Sequence, residues 1–181
     1  IDAIITDTPY WSTKCSWDSV IHFESMWEQL KRIIKPNGAI VLFWSEPFSS
    51  ALRMSNIKMY KYDWIWVKEN WTWFLNAKKQ PLKNNETVSI FYKEQCTYNP
   101  QMRTGYKPYK CKSWRQTENY WDQVQVVTES NWERYPLNTI EFPRDKDKQH
   151  PTQKPVALIE YLIKTYSLED DVILDFTSGS W

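Results

Sequence analysis

The chain has 181 residues, 23 Lys and Arg against 22 Asp and Glu for a net charge of +1, and 41% hydrophobic residues. This suits one globular domain with a real core, and the net charge by itself points to no class of partner. No apolar run approaches the roughly 20 residues that a membrane span needs, and the start lacks the basic-then-apolar pattern of a secretory signal.

Cys15, Cys96 and Cys111 are scattered, none at C-x-x-C spacing, and neither His22 nor His150 completes a ligand cluster. No structural metal is expected, and free thiols in a reducing cytoplasm are. Residues 1–6 form a short apolar run that ends at Asp7-Thr8-Pro9-Tyr10. A strand followed by a loop is expected, because Pro cannot join a central ladder. Within 23–35, Met26, Trp27, Leu30, Ile33 and Ile34 fall at helical spacing, with Glu24 and Glu28 early and Lys31, Arg32 and Lys35 late. The charges suit a helix dipole, and Pro36-Asn37-Gly38 stops the helix. The continuous apolar run 39–43 reads as a strand buried on both faces, and 47–54 as a weaker helix. Residues 60–67 and 87–92, rich in aromatic and β-branched side chains, read as strands. The segment between them is polar, with Asn76, Lys78, Lys79 and Lys83.

Residues 96–148 show no sustained period and are read as an inserted functional region. Arg103, Lys107, Lys110, Lys112 and Arg115 occur there with no acid between them, and Tyr98, Tyr106, Tyr109 and Trp114 lie in or beside the run. Cations mixed with rings suit phosphate contact and base stacking; a solvated loop is the alternative. Pro155 then opens a helix with Val156, Ile159, Leu162, Ile163 and Tyr166 on one face. A short strand at 172–174 runs into Asp175-Phe176-Thr177-Ser178-Gly179-Ser180-Trp181. Strands alternating with helices predict an α/β sheet covered on both faces, with ligands beyond the carboxyl ends of the strands. Asp7 and Asp175 both fall at such ends and are expected to face one crevice.

Three segments carry candidate chemistry. Asp7-Thr8-Pro9-Tyr10 offers a fixed acceptor and a flat ring; taken alone it also reads as an ordinary turn cap. The acid and small residues after 174 let a backbone approach a ligand closely, or merely leave a strand. His150-Pro151-Thr152-Gln153-Lys154-Pro155 enters a helix whose positive end is available to an anion.

In this order the three segments resemble the β-group DNA amino-methyltransferases. That family carries Asp-Pro-Pro-Tyr, then a target-recognition region, then His-Pro-Thr-Gln-Lys-Pro and an Asp-x-Phe-x-Gly-x-Gly loop. Residues 33–43, 62–66, 76–83, 91–92, 98–101 and 155–166 also look like family segments, so the resemblance spans nearly the whole chain. It implies a Rossmann-like, mainly parallel sheet with helices on both faces, incomplete at its C-terminal edge. It implies a methyltransferase domain made of 1–95 and 149–181, with 96–148 as the target-recognition insertion. Asp7, Pro9 and Tyr10 would hold and activate the target amino group. Asp175, Phe176 and Gly179 would line the pocket of S-adenosylmethionine, and His150, Thr152, Gln153 and Lys154 would close its other side. Arg103, Lys107, Tyr109, Lys110, Lys112 and Arg115 would meet DNA. No metal and no covalent enzyme intermediate are implied.

The implied reaction is direct transfer of a methyl group to an amino group of an extruded base. The leading Asp is more typical of adenine-N6 enzymes, so adenine in a short duplex sequence is expected. A cytosine-N4 enzyme and a non-catalytic DNA-binding remnant are the alternatives. Duplex DNA is the expected partner, with a restriction endonuclease as a further candidate, in a bacterial or phage-encoded cytoplasmic protein.

The chain departs from the family in three ways. Thr8 replaces a Pro that would fix the backbone angle. The chain stops short of the strands that follow the cofactor loop, so the resemblance reads it as a fragment. Finally, there are 12 Trp and 3 Gly. Trp11, Trp44, Trp71, Trp114, Trp121, Trp132 and Trp181 stand where the family commonly has Gly or a small residue. A source that reads UGA as glycine, translated with tryptophan, produces this pattern.

Overall fold

The computed structural model describes residues 1–9, 21–72, 76–112, 127–147 and 153–178. They form two compact units, one of Ile1–Asn99 with Asn138–Trp181 and one of Pro100–Leu137.

The larger unit begins with β1 (Ala3–Thr6), α1 (Phe23–Ile33), β2 (Ala39–Trp44), α2 (Phe48–Ser55), β3 (Tyr60–Thr72) and β4 (Lys83–Phe91). The smaller unit holds β5 (Arg103–Thr104), β6 (Tyr109–Lys112), β7 (Val127–Ser130) and β8 (Glu133–Arg134). The larger unit then resumes with β9 (Thr139–Glu141), α3 (Val156–Tyr166) and β10 (Ile173–Leu174). Its six strands form one sheet in the order β10-β1-β2-β4-β3-β9. Three pairings are parallel, β1 with β10, β1 with β2 and β3 with β9, while β4 runs antiparallel to both its neighbours. The helix between β1 and β2 makes their parallel pairing reachable, since such strands need a crossover.

Every residue of β1 and β2 is buried, as a strand covered on both faces requires. The period of two divides them between two cores. Ile4, Ile40, Leu42 and Trp44 pack with Met26, Trp27 and Leu30 of α1 and Leu52 of α2. Ile5, Val41 and Phe43 pack on the other face with Leu158, Ile159, Leu162 and Tyr166 of α3. Each such aliphatic or aromatic side chain contributes about 1.5–3 kcal/mol through burial. The Trp27 indole donates to Ser55 Oγ at 2.7 Å, tying α1 to α2.

Helix α1 ends at Ile33, two residues before the sequence pattern does. Ile34 is already extended, and Lys35 N donates to Ile1 O at 3.0 Å, drawing the chain onto the start of the sheet. Gly38 makes that turn possible: a Cβ there would lie 2.6 Å from Ile34 Cδ1 and 2.7 Å from Asp2 O. Strand β4 begins at Lys83, four residues before the apolar run that predicts it. Its polar start is paired across to β3, with Asn85 opposite Val67 and Glu86 opposite Trp66.

The aperiodic stretch 96–148 divides between the units. Cys96 is buried in the main core, and Ile140 of β9 is buried where β9 joins β3. The smaller unit takes only Pro100–Leu137 of that stretch. That unit is built from two short antiparallel ladders, β5 with β8 and β6 with β7. Among the described residues, no helix is long and apolar enough to cross a membrane.

Candidate active site

β1 and β10 lie side by side and parallel, with Ala3 opposite Ile173 and Ile4 opposite Leu174. The residues that follow both strands therefore emerge at one edge of the sheet. The Thr6 hydroxyl donates to Asp175 Oδ1 at 2.5 Å and lies 2.5 Å from Thr177 Oγ1. Thr177 N donates to Asp175 Oδ1 at 3.0 Å, and the Thr177 hydroxyl lies 3.1 Å from the carbonyl oxygen of Asp7. Two segments 170 residues apart are thus stitched together by threonine hydroxyls. The two strand ends expected to lie together do so, joined through Thr6, Asp175, Thr177 and the Asp7 carbonyl.

The segment leading into α3 adds a cation. Lys154 Nζ donates to Asp7 Oδ2 at 2.6 Å and lies 3.3 Å from Glu86 Oε2. Glu86 is also paired with Lys68 of β3. Lys154 sits 5.4 Å from the ring centroid of Phe43, and Lys68 5.0 Å from that of Trp66. The result is a row of alternating charges, Asp7, Lys154, Glu86 and Lys68, drawn from four parts of the chain. The side chains of Lys68 and Lys154 are only 7% and 10% exposed, so both cations depend on their acids. Asp7 Oδ1, Thr8 Oγ1 and Asp175 Oδ2 are buried with no hydrogen-bond partner among the described residues.

Burial raises the Asp7 pKa above the ordinary carboxylate value. Lys154 opposes that rise, while Glu86 and Asp175 add to it. For Glu86 burial pulls the same way, but Lys154 and Lys68 together overcome it and hold its pKa below the usual value. Lys68 is lowered by burial, against the pull of Glu86.

Asp145 orients the approach to α3. Its Oδ2 accepts from Val156 N at 3.0 Å and lies 3.4 Å from Gln153 Nε2. Pro155, at the N-cap position, has no side chain that can do this.

Of the residues singled out in the sequence, Asp7, Asp175 and Lys154 meet. Pro9 follows Thr8, partly exposed, and Phe176 is exposed beyond Asp175. Gln153 is engaged with Asp145. Tyr10, His150, Thr152, Gly179 and Arg115 lie outside the described residues. In the smaller unit, Arg103 donates to Tyr135 O at 3.1 Å and to the Tyr106 hydroxyl at 3.0 Å. Lys110 is paired with Glu129 in an exposed pair. Tyr109 lies beneath Arg134, 4.3 Å from ring centroid to guanidinium, and the Lys107 carbonyl accepts from that same guanidinium at 2.5 Å. Lys107 and Lys112 are exposed.

Sequence reasoning missed Glu86, Lys68, Thr6, Thr177, Asp145 and Arg134. Lys68 and Glu86 each fall one residue outside the strands expected at 60–67 and 87–92, so only the longer β3 and β4 of the structure bring them in. The others carried no signal, because a hydroxyl or a cap is recognised only once its partner is placed.

A family model described as a DNA methylase matches residues 1–180. The chain is 27% identical over 200 residues to the type II methyltransferase M.HpaI of Haemophilus parainfluenzae, a match covering 99% of this chain and 58% of that protein. The chain therefore spans less than two-thirds of that relative. Among solved structures, the M1.HpyAVI–SAM complex superposes with a TM-score of 0.57 at 23% identity, over 97% of this chain and 71% of that one. The cytosine-N4-specific PvuII DNA methyltransferase superposes with a TM-score of 0.60 at 14% identity, over 97% and 66%. At these identities the two structures speak to the fold, which is the α/β fold of S-adenosylmethionine-dependent methyltransferases.

Proposed function

We propose that this chain, which belongs to the DNA methylase family, carries the reaction centre that methylates the N6 amino group of adenine in duplex DNA. The observation that carries the reading is the Asp7 carboxylate. One oxygen is held by Lys154, and the other is buried without a partner among the described residues.

A base amino group is a weak nucleophile, because its lone pair is delocalised into the ring. Attack leaves positive charge on the nitrogen, and an acceptor already fixed in a buried site stabilises that charge without reorganising. Asp7 Oδ1, which has no other partner among the described residues, would accept from the amino group. Lys154 favours the ionised carboxylate that this needs. Thr177 meets the Asp7 carbonyl and so ties the backbone of the target-base loop to the loop after β10. Tyr10 would stack on the extruded base.

S-adenosylmethionine, when bound, supplies an electrophilic methyl group on a sulfonium sulfur. The residues present fit it: Asp175 Oδ2 is buried with unused acceptor capacity, and Phe176 stands exposed beside it. Asp175, Phe176 and Gly179 would hold it on one side, and His150, Thr152, Gln153 and Lys154 on the other. DNA would be met by Arg103, Lys107, Tyr109, Lys110, Lys112 and Arg115 of the target-recognition segment. A restriction endonuclease would be a partner in the cell.

The test is to incubate the full chain with tritiated S-adenosylmethionine and unmethylated duplex DNA, digest the DNA to nucleosides, and identify the labelled base. Label in N6-methyladenine is expected. Label in N4-methylcytosine would replace adenine by the rival base. Salt-sensitive DNA binding with no label in either base would assign the chain to the non-catalytic reading.

A further inference from the structure

Glu86 is the least explained charge in the molecule. It lies on β4, away from all three sequence motifs, yet its side chain is only 13% exposed and stands between the ammonium groups of Lys68 and Lys154. A buried acid needs one counter-charge; this one has two, and it shares the second with Asp7. Lys154 Nζ donates to Asp7 Oδ2 at 2.6 Å and meets Glu86 Oε2 as an ion pair at 3.3 Å, without a hydrogen bond, so it feels both acids at once. An ammonium centred on Asp7 alone would have both carboxylate oxygens within its reach. Held from the other side by Glu86, it takes Oδ2 and leaves Oδ1 unoccupied among the described residues.

We propose that Glu86 is a positioning residue for the transfer: by sharing the Lys154 ammonium with Asp7, it keeps one Asp7 oxygen available to accept from the target amino group. Lys68 completes the device by anchoring Glu86 from β3. This rests on the methyltransferase reading of the site. It adds to that reading a residue outside its motifs, acting through Lys154.

The groups that face Asp7 are Lys154 ahead of α3, Glu86 on β4 and Asp175 after β10. Behind Glu86 stand Lys68 on β3 and, near it, Arg144 after β9. Removing the Glu86 charge takes one acid away from Lys154 and a repelling acid away from Asp7. Both changes favour the ionised carboxylate, and the ammonium, no longer held by Glu86, is drawn toward Oδ1 and competes for it with the target amino group.

The experiment is a carbon-13 NMR titration of the Asp7 carboxyl in the full chain, with the signal assigned by its loss in Asp7→Asn. It is run on the parent protein, on Glu86→Gln, and on Lys68→Met combined with Glu86→Gln. The paired variant keeps the row neutral, so Lys68 is not left buried and alone. In both variants the Asp7 midpoint is expected to move about one pH unit lower, while Lys154→Met moves it higher. A midpoint unchanged or raised on loss of Glu86 overturns the proposal. With labelled S-adenosylmethionine and DNA, kcat is expected to fall about tenfold in both Glu86 variants, with KM for either substrate unchanged. A merely structural Glu86 would give full recovery of kcat in the neutral pair, which also overturns the proposal. A parent protein that transfers no methyl group at all would instead refute the functional reading, with the titration still deciding whether Glu86 governs Asp7.

Discussion

At the scale of single residues, charge and backbone angle make separate demands. Asp7 and Glu86 bend the pH dependence of stability in opposite directions. Glu86 has a lowered folded pKa, so its contribution is present above the ordinary glutamate value of 4.5 and is lost as pH falls through the folded value. Asp7 has a raised folded pKa, so ionising it costs stability as pH rises from 3.8 through the folded value. In Asp7→Asn the second effect should vanish, leaving a melting temperature that only climbs from pH 3.5 to pH 7. A profile with the same shape as the parent would refute this assignment. Trp132 makes the other demand. It has φ +62° and is 62% exposed, so its indole contributes little packing while its Cβ occupies a region that favours glycine. Trp132→Gly is therefore expected to stabilise the protein by about 1 kcal/mol, read as a higher urea midpoint. This follows from geometry alone, at one of the positions where the sequence pattern asks for glycine. Trp44, another of those positions, is fully buried and packs 5.5 Å from Phe23, so there the indole is a working part of the core.

At the scale of elements, two close approaches decide where helices begin and end. Asp145 caps α3 from outside the helix. Asp145→Ala should cost about 1 kcal/mol, as loss of an N-cap acceptor does, and lower the melting temperature by roughly 2–4 °C for a chain of this size. Gly38→Ala should cost about 1–3 kcal/mol by overpacking, because one of the three atoms it meets is the backbone oxygen of Asp2 and cannot swing away. Thermal melts of the two variants check both. The elements themselves were largely legible. The period of 3.6 located α1 and α3 to within two residues, and the unbroken apolar run located β2. What escaped was whatever depends on a partner: the polar start of β4, which pairs with β3, and β9, whose only buried residue is Ile140. The motifs brought Asp7, Asp175 and Lys154 to attention, but the ion row behind them required the strand order.

At the scale of the whole molecule, the two units divide their charges differently. The larger unit sets Lys68 and Lys154, 7% and 10% exposed, against acids, and leaves Lys35 and Lys164 largely exposed. The smaller one leaves Lys107 and Lys112 exposed, while Arg134 and Arg103 are engaged with tyrosine rings and backbone oxygens. If the exposed lysines meet phosphates, replacing both by Ala lowers the slope of log affinity against log salt by about 2. Filter binding across a salt series measures this. An unchanged slope would remove these two lysines from the DNA interface. Arg134→Ala should instead loosen the smaller unit, seen as faster amide exchange in 103–112 at constant salt.

The pairing of β1 with β10 has a consequence in time. Asp2 N donates to Val172 O at 2.9 Å, and Val172 N donates back to Asp2 Oδ2 at 3.1 Å. These contacts close a loop of nearly the full chain, the slowest kind to form. On a ribosome adding residues one by one, β1, β2, β3 and β4 can assemble while the stretch bearing Asp175 is still inside the exit tunnel. A nascent chain at that stage has most of its sheet and none of these contacts. The contacts among Thr6, Asp7, Asp175 and Thr177 are thereby deferred until synthesis has passed Thr177.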